Sequence, residues 1–191
     1  MKKIILSIFA LILMSTVSKA EIKIGFEAGL GWADMRAEET AQIIANASGS
    51  TVTYTYDEAT WTGRIFADYG LSDNLGVELG YFLTGSLDAT YTISGASATE
   101  GYNASGLDIA AVVHSDDVFF KAGMHSSELT GDATITISGT SYAVTETISG
   151  TGFLAGGGIE IDGTRYGATY YSALGGDSDS GMVIVYVGMV F

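Results

Sequence analysis

Apolar residues in this chain recur at every second position, and that period admits little except β-strand. Ile22, Ile24, Phe26, Ala28, Leu30 and Trp32 share one side of an extended segment, while Lys23, Gly25, Glu27, Gly29 and Gly31 share the other. The chain ends in the same pattern: counting back from Phe191, Met189, Val187, Val185 and Val183 lie on one face. Successive side chains of a strand point to opposite faces of a sheet, so each segment is apolar on one face only. Hydrophobic residues make up 47 % of a chain whose formal net charge is −14, and the mean hydropathy is +0.31. Both hold together if the apolar faces look outward into lipid and the polar faces inward, as in a transmembrane β-barrel.

The N-terminus reads as an address. Lys2 and Lys3 precede an apolar run from Ile4 to Met14, and Ser18-x-Ala20 supplies small residues for cleavage. That is the layout of a secretory signal peptide, and its apolar run is too short to span a bilayer as a helix. Residues 1–20 are therefore assigned to a signal cleaved after Ala20, and residues 21–191 to one barrel domain. No later stretch is apolar for the length of a membrane helix, so any crossing must be made by strands. The absence of Cys removes a disulfide framework, and the absence of Pro suits a chain whose residues nearly all donate ladder hydrogen bonds. The 26 glycines fit strands that curve around a narrow interior.

Turn residues divide the rest. Strands are expected at about 22–33, 60–70, 75–87, 107–114, 118–125, 152–161, 165–174 and 182–191. Leu71-Ser72-Asp73-Asn74, Ser115-Asp116-Asp117 and Asp162-Gly163-Thr164 are short polar turns. They alternate with longer connections, the first from Asp34 to Ala59. Short turns at one end and long loops at the other give an all-β fold: an eight-stranded antiparallel up-and-down transmembrane β-barrel, expected as a monomer. An internal repeat falls in two of the long connections, Leu83 to Ser97 and Leu129 to Ser141, sharing Asp-Ala-Thr-x-Thr-Ile-Ser-Gly. Its Thr-rich alternation predicts strands that extend beyond the membrane, the other reading being disordered loop tips. Two such hairpins either pair and close their edges or leave an edge open to a partner strand.

Charge divides along the same lines. Without Lys2, Lys3 and Lys19, five basic residues face 22 acidic ones. Lys23, Arg64, Lys121 and Arg165 fall on the lumen parity of their strands, with Glu27, Asp68, Glu78, Asp108 and Glu160. A buried carboxylate is tolerable only when paired, so these residues are expected to form a salt-bridged lumen, either a packed plug or a gate. The long loops hold Glu38, Glu39, Asp57, Glu58, Asp88, Glu100, Glu128, Asp132, Glu146, Asp177 and Asp179 against the single base Arg36. That balance excludes nucleic acid as a partner. It fits loops kept hydrated, cation bridges to lipopolysaccharide, or a basic host or phage protein. No spacing matches a metal site, and no cofactor is expected. Trp61, Tyr69, Tyr81, Phe82, Tyr166 and Tyr170 are assigned to the lipid face and its interfaces.

Gly63-Arg-Ile-Phe-Ala-Asp-Tyr-Gly-Leu-Ser-Asp-Asn-Leu-Gly-Val-Glu-Leu-Gly-Tyr81 resembles the second hairpin of the OmpA-like outer-membrane β-barrel superfamily. Phe119–Met124 resembles its fifth strand, and Leu154–Ile161 with Arg165 its sixth and seventh. A final strand ending in Phe191 resembles the signal by which the barrel-assembly machinery recognises such proteins. The resemblance implies an outer-membrane location among lipids and lipopolysaccharide, and a lumen network through Glu78, Lys121, Glu160 and Arg165. It does not carry over the peptidoglycan-binding domain that many members add. The function expected is structural and surface-binding, without catalysis. Two alternatives stand beside it. His125-Ser126-Ser127-Glu128 is similar to the His-x-Ser of lipid A deacylases, since imidazole can activate a hydroxyl. A narrow gated porin is the other. His114, beside a turn, reads as structural or solvated.

Overall fold

The computed structural model describes residues 21–34 and 36–191; the signal assignment lies outside them. Ten strands run in chain order: β1 (Ile22–Ala33), β2 (Thr53–Tyr56), β3 (Thr60–Ser72), β4 (Leu75–Thr84), β5 (Leu87–Ile93), β6 (Ala96–Ser115), β7 (Val118–Ile137), β8 (Thr140–Ile161), β9 (Thr164–Tyr171) and β10 (Met182–Val190). Eight of them, β1, β3, β4, β6, β7, β8, β9 and β10, pair antiparallel with both neighbours and close into a ring. The seam is β1 against β10, from Gly25↔Val190 to Ala33↔Met182. Closure leaves no sheet edge in the membrane band, which is what a spanning sheet requires.

Two-residue turns end the hairpins on one side. Asp116 and Asp162 adopt the left-handed conformation, φ 51° in each, which short polar side chains tolerate better than branched ones. The ring's outer wall carries Ile22, Ile24, Phe26, Ile65, Leu79, Ile109, Phe120, Met124, Val185 and Val187, all exposed. Side chains that alternate inward fill the lumen. Gly158 on β8 faces Gly167 on β9, and a Cβ there would collide with the Tyr166 carbonyl oxygen. Gly158→Leu is therefore expected to cost about 3 kcal/mol and to abolish the gel-mobility difference between unheated and boiled protein that marks a folded barrel. Ile159→Leu on the lipid side should leave that difference intact.

At the other end the ring grows into a second structure. β6, β7 and β8 run 20, 20 and 22 residues, well beyond the membrane band. β2 and β5 add to the β6 side, giving a five-stranded sheet ordered β2-β5-β6-β7-β8. The repeats are thus strands rather than disordered tips. Their two hairpins pair with each other through β6 and β7, from Ala96↔Ile137 to Ser105↔Glu128. The edges left open are instead the short β2, which pairs with β5 alone, and the far side of β8, whose pairing with β9 starts only at Leu154. The expected third strand stops at Thr84, because Gly85 and Ser86 interrupt the path before β5 resumes at Leu87; Ser86-Leu87 is the pair that the second repeat lacks. The expected seventh strand ends at Tyr171, not Leu174, where a single 3₁₀ turn (Leu174–Gly176) begins.

The long first connection is also ordered. It forms helix α1 (Ala37–Ser48) before β2. Alanines dominate it, Glu38 and Glu39 sit in its first turn where the dipole favours acids, and Gly49 caps its end at φ 64°. Among the described residues no helix is long and apolar enough to cross a membrane, which leaves the strands to do so.

Candidate functional site

The lumen is built from inward positions of all eight ring strands, its charges coming from β1, β3, β4, β6, β7, β8 and β9. Arg64 on β3 is its hub. Its guanidinium donates to both oxygens of Asp108, at 2.9 and 2.7 Å, and to Glu27 at 3.2 Å. It also lies 3.0 Å from Glu78 Oε2, off the direction of a good hydrogen bond. Arg165 donates to Glu78 and, at 2.8 Å, to Glu160, and stands 3.5 Å from Glu27. Lys121 Nζ reaches Glu27 from the far wall at 3.4 Å. Four carboxylates thus surround three cations, and all but Glu160 are at most 5 % exposed at the side chain. Aromatic faces complete the shell: Arg165 lies over Phe119 and Phe66, Arg64 over Phe66 and Lys121 over Tyr186, at 4.4 to 4.9 Å. Such contacts favour a cation that has left water.

Two residues of expected lumen parity stand apart. Lys23 is half-buried at the short-turn mouth and makes no ion pair among the described residues. Its cross-strand neighbour Asp68 is buried, but its nearest cation-capable partner is His114 at 3.7 Å. Parity puts both on the inside; their height puts them below the plug, around a cavity of about 510 Å³ open to that mouth. His114 is half-buried there. Phe82 corrects the assignment of its type to lipid: at 2 % exposure it packs inside the lumen, 4.6 Å from the Tyr171 ring. It alternates with Tyr81, so only one of the two can face outward.

Above the plug, His125 and Ser127 are 2 % and 3 % exposed. His125 Nε2 is 2.6 Å from the Ser172 carbonyl oxygen, and the Ser127 hydroxyl accepts the Gly175 N–H at 3.0 Å. Both side chains point into the packed lumen, away from lipid. Among the described residues no group of three or more His, Asp or Glu side chains is arranged to hold a metal. Within the plug a cavity of about 10 Å³ remains, no more than a single water requires. A second opening of about 290 Å³ lies at the long-loop mouth, over Leu87, Ala104, Leu129, Leu174 and Met182. Arg36 and Asp179 pair at its rim, 3.3 Å apart and both exposed.

The five-stranded extension reverses the polarity of the ring. Its inward face continues the lumen but is mostly apolar: Ala89 and Tyr91 on β5, Ala98 on β6, Ile135 and Ile137 on β7, Tyr142 and Val144 on β8, with Glu100 and Glu146 as its acids. α1 covers the β5 and β6 part with Ala37, Ala41 and Ile44. The β7–β8 part stays open, with Ile135, Ile137, Tyr142 and Val144 between 48 % and 67 % exposed. Under the helix, Tyr91 donates to Glu100 at 2.7 Å. Burial, then that hydrogen bond, pushes the phenol well above its usual range, so it remains a donor at neutral pH. Sequence reading missed α1 because attention to alternation passes over a helix in a loop, although its Ala-rich run and Gly49 were legible.

A closed ring of eight antiparallel strands with a charged plug is the frame in which the comparisons apply. The model of the OmpA-like transmembrane domain matches residues 19–169. The chain belongs to that family. This OmpA-like barrel is accordingly a bacterial outer-membrane protein. Among solved structures it is similar to Ail, the attachment invasion locus protein of Yersinia pestis, with a TM-score of 0.56 and 14 % identity over 90 % of this chain and 99 % of that one. Ail in complex with the heparin analogue sucrose octasulfate matches at TM-score 0.54 and 13 % identity, with the same coverage. Neisserial surface protein A gives 0.45 and 14 %, over 91 % of this chain and 98 % of its own. A search of curated protein sequences gave no match. At these identities the likeness is one of fold.

In the OmpA-like barrel the short turns face the periplasm and the five-stranded sheet stands outside. Phe191 sits at the seam's periplasmic end, exchanging backbone hydrogen bonds with Ile24 at 2.9 and 3.2 Å and stacking on Phe26.

Proposed function

We propose that this barrel displays a binding surface outside the cell and captures an extended, basic protein segment along the free edge of β8. The observation that carries the reading is that edge. From Thr140 to Thr147 the strand pairs with β7 alone, and every residue of the stretch is exposed. Unpaired N–H and C=O groups in a row invite another strand, and side chains on alternate positions give it specificity. Tyr142 and Val144 offer it apolar contacts, and Glu146 between Val144 and Ile148 offers a carboxylate. Arg36, the single base of the extracellular parts, is paired with Asp179, so a cationic partner meets little repulsion. Ail binds a polysulfated ligand; this edge, with Glu146 as its one charge and no base from Thr140 to Thr147, suits the opposite charge.

The reading involves no catalytic step. His125 and Ser127 are engaged inside the lumen, where no lipid ester reaches them, and the plug supports a structural wall over a standing pore. Lipid around the apolar belt and the assembly machinery at Phe191 are the further partners it entails.

The test uses bacteria displaying equal amounts of three proteins: wild type, Tyr142→Lys/Val144→Lys, and a variant whose hairpin tip Thr130–Thr147 is replaced by a short Gly-Asn turn between the paired Leu129 and Ile148. Both changes lie outside the ring, so gel mobility should stay that of a folded barrel. Binding to host matrix or phage is expected to fall at least tenfold in both variants. Undiminished binding in both would move the function off this edge.

A further inference from the structure

The outward face of the same sheet, on the opposite side from α1, holds a second surface that the proposed edge binding does not use. Register aligns it row by row. In the outermost row Thr53, Thr92, Ser97, Thr136 and Ser141 are neighbours across β2, β5, β6, β7 and β8; in the next, Thr55, Thr90, Thr99, Thr134 and Ala143. Nine of these ten positions are hydroxyls. Below them lie Asp88, Gly101, Asp132 and Thr145, then Asn103, Thr130 and Thr147. Several hydroxyls already pair across strands: Thr90 with Thr99 at 3.2 Å, Thr130 with Thr147 at 3.1 Å and Thr136 with Ser141 at 2.8 Å. Thr145 donates to Asp132 and Ser86 to Asp88. These rows hold no base.

We propose that this hydroxyl face binds the saccharide part of lipopolysaccharide, holding the sugar chains of the surrounding lipid against the protein wall. Continuity with the lipid interface selects the occupant. Following the outward positions of β6, β7 and β8 down the wall, Ile109, Met124 and Phe153 form a row of exposed apolar residues in the lipid band. Next above come Leu107, Ser126 and Thr151, then Ser105, Glu128 and Ser149, then the hydroxyl rows. Whatever molecule meets Met124 with its acyl chains meets Thr130 and Thr134 with the part beyond its headgroup. In the outer leaflet of a bacterial outer membrane that part is carbohydrate.

The chemistry of the face fits sugar and not phosphate. A hydroxyl both donates and accepts, so each Thr can answer either end of a sugar O–H. Strands lie ~4.8 Å apart and alternate residues ~6.7 Å apart, a grid on the scale of the hydroxyls around a pyranose. Lipid A phosphates would need Lys or Arg, and the face has neither. Solvation alone does not account for the pattern. An exposed sheet that needs only to stay wet and unpaired ordinarily carries charges, especially Lys; here the charges are confined to Asp88, Asp132 and Glu128, nearer the membrane. Thr is chosen where an ordered, β-branched side chain keeps its hydroxyl in one place, which lowers the entropy lost on binding.

The test uses the whole barrel in detergent micelles and, as probe, the free core oligosaccharide released from lipopolysaccharide. Binding is followed through the methyl resonances of Thr90, Thr130 and Thr147, which lie on the same face and are kept in every variant. The variant Thr99→Val/Thr134→Val/Thr136→Val keeps shape and strand preference and removes three hydroxyls. Saturable shifts are expected in wild type, with affinity at least tenfold weaker in the variant. Val144→Lys, which blocks the proposed protein edge, should bind the sugar as wild type does. Should the triple variant fail to fold, Thr134→Val alone is compared, with a threefold loss expected. No binding by wild type, equal binding by the hydroxyl-free variants, or binding that requires lipid A phosphate would each overturn the proposal.

Discussion

Arg64→Met is expected to destabilise the barrel by about 3–5 kcal/mol, the range for removing one partner from a buried ionic cluster. The loss falls on three carboxylates at once, because the guanidinium reaches Asp108, Glu27 and Glu78. It also widens an imbalance. The plug holds Glu27, Glu78, Asp108 and Glu160 against Arg64, Lys121 and Arg165, so removing a base leaves four acids facing two. Glu78→Gln acts in the opposite sense: it leaves three against three, and the amide can still accept from Arg165. Its expected cost is nearer 1–2 kcal/mol, a weakened buried hydrogen bond. Urea unfolding in lipid vesicles measures both. A smaller effect for Arg64→Met than for Glu78→Gln would contradict the hub assignment. Values below about 0.5 kcal/mol for both would mean that water reaches the lumen and screens it. Single-channel recording of Arg64→Met then reports whether the loosened plug conducts.

Deleting Phe191 should separate stability from recognition. The residue contributes two seam hydrogen bonds with Ile24 and a stack on Phe26 at 6.2 Å, yet is 71 % exposed. Two such bonds amount to about 1–3 kcal/mol, against a seam that β1 and β10 pair from Gly25 to Ala33. Purified protein lacking Phe191 is therefore expected to refold in vesicles and to show the heat-dependent gel shift of the full chain. On the proposal that Phe191 is the assembly signal, the same deletion in cells is expected to reduce assembled barrel at least tenfold. Phe191→Tyr should restore much of that loss. Normal assembly in cells would end the assignment of Phe191 as a signal. Failure in both settings would make it a structural residue of the seam.

The chain's period of two determined much by itself. It fixed which side chains face lipid and which face the lumen, since alternation is a local property that needs no partner strand. Met189, Val187, Val185 and Val183 on β10, or Lys121 and Arg165 on the inside, follow from it directly. Asp116-Asp117 and Asp162-Gly163 located hairpins for an equally local reason, their tolerance of left-handed backbone. Where alternation was misapplied, as in grouping Phe82 with its neighbour Tyr81, the same rule supplies the correction. Height is another matter. Whether an inward charge joins the plug depends on the stagger of eight strands around the ring, which no single segment encodes. Lys23 and Asp68 have the right parity and lie below it, while Lys121 reaches Glu27 from the opposite wall. α1 over Tyr91, the open edge on β8 and the alignment of Thr90, Thr99 and Thr134 were likewise decided by tertiary pairing. Each depends on which residues stand opposite one another across strands far apart in sequence, and only the closed barrel sets that register.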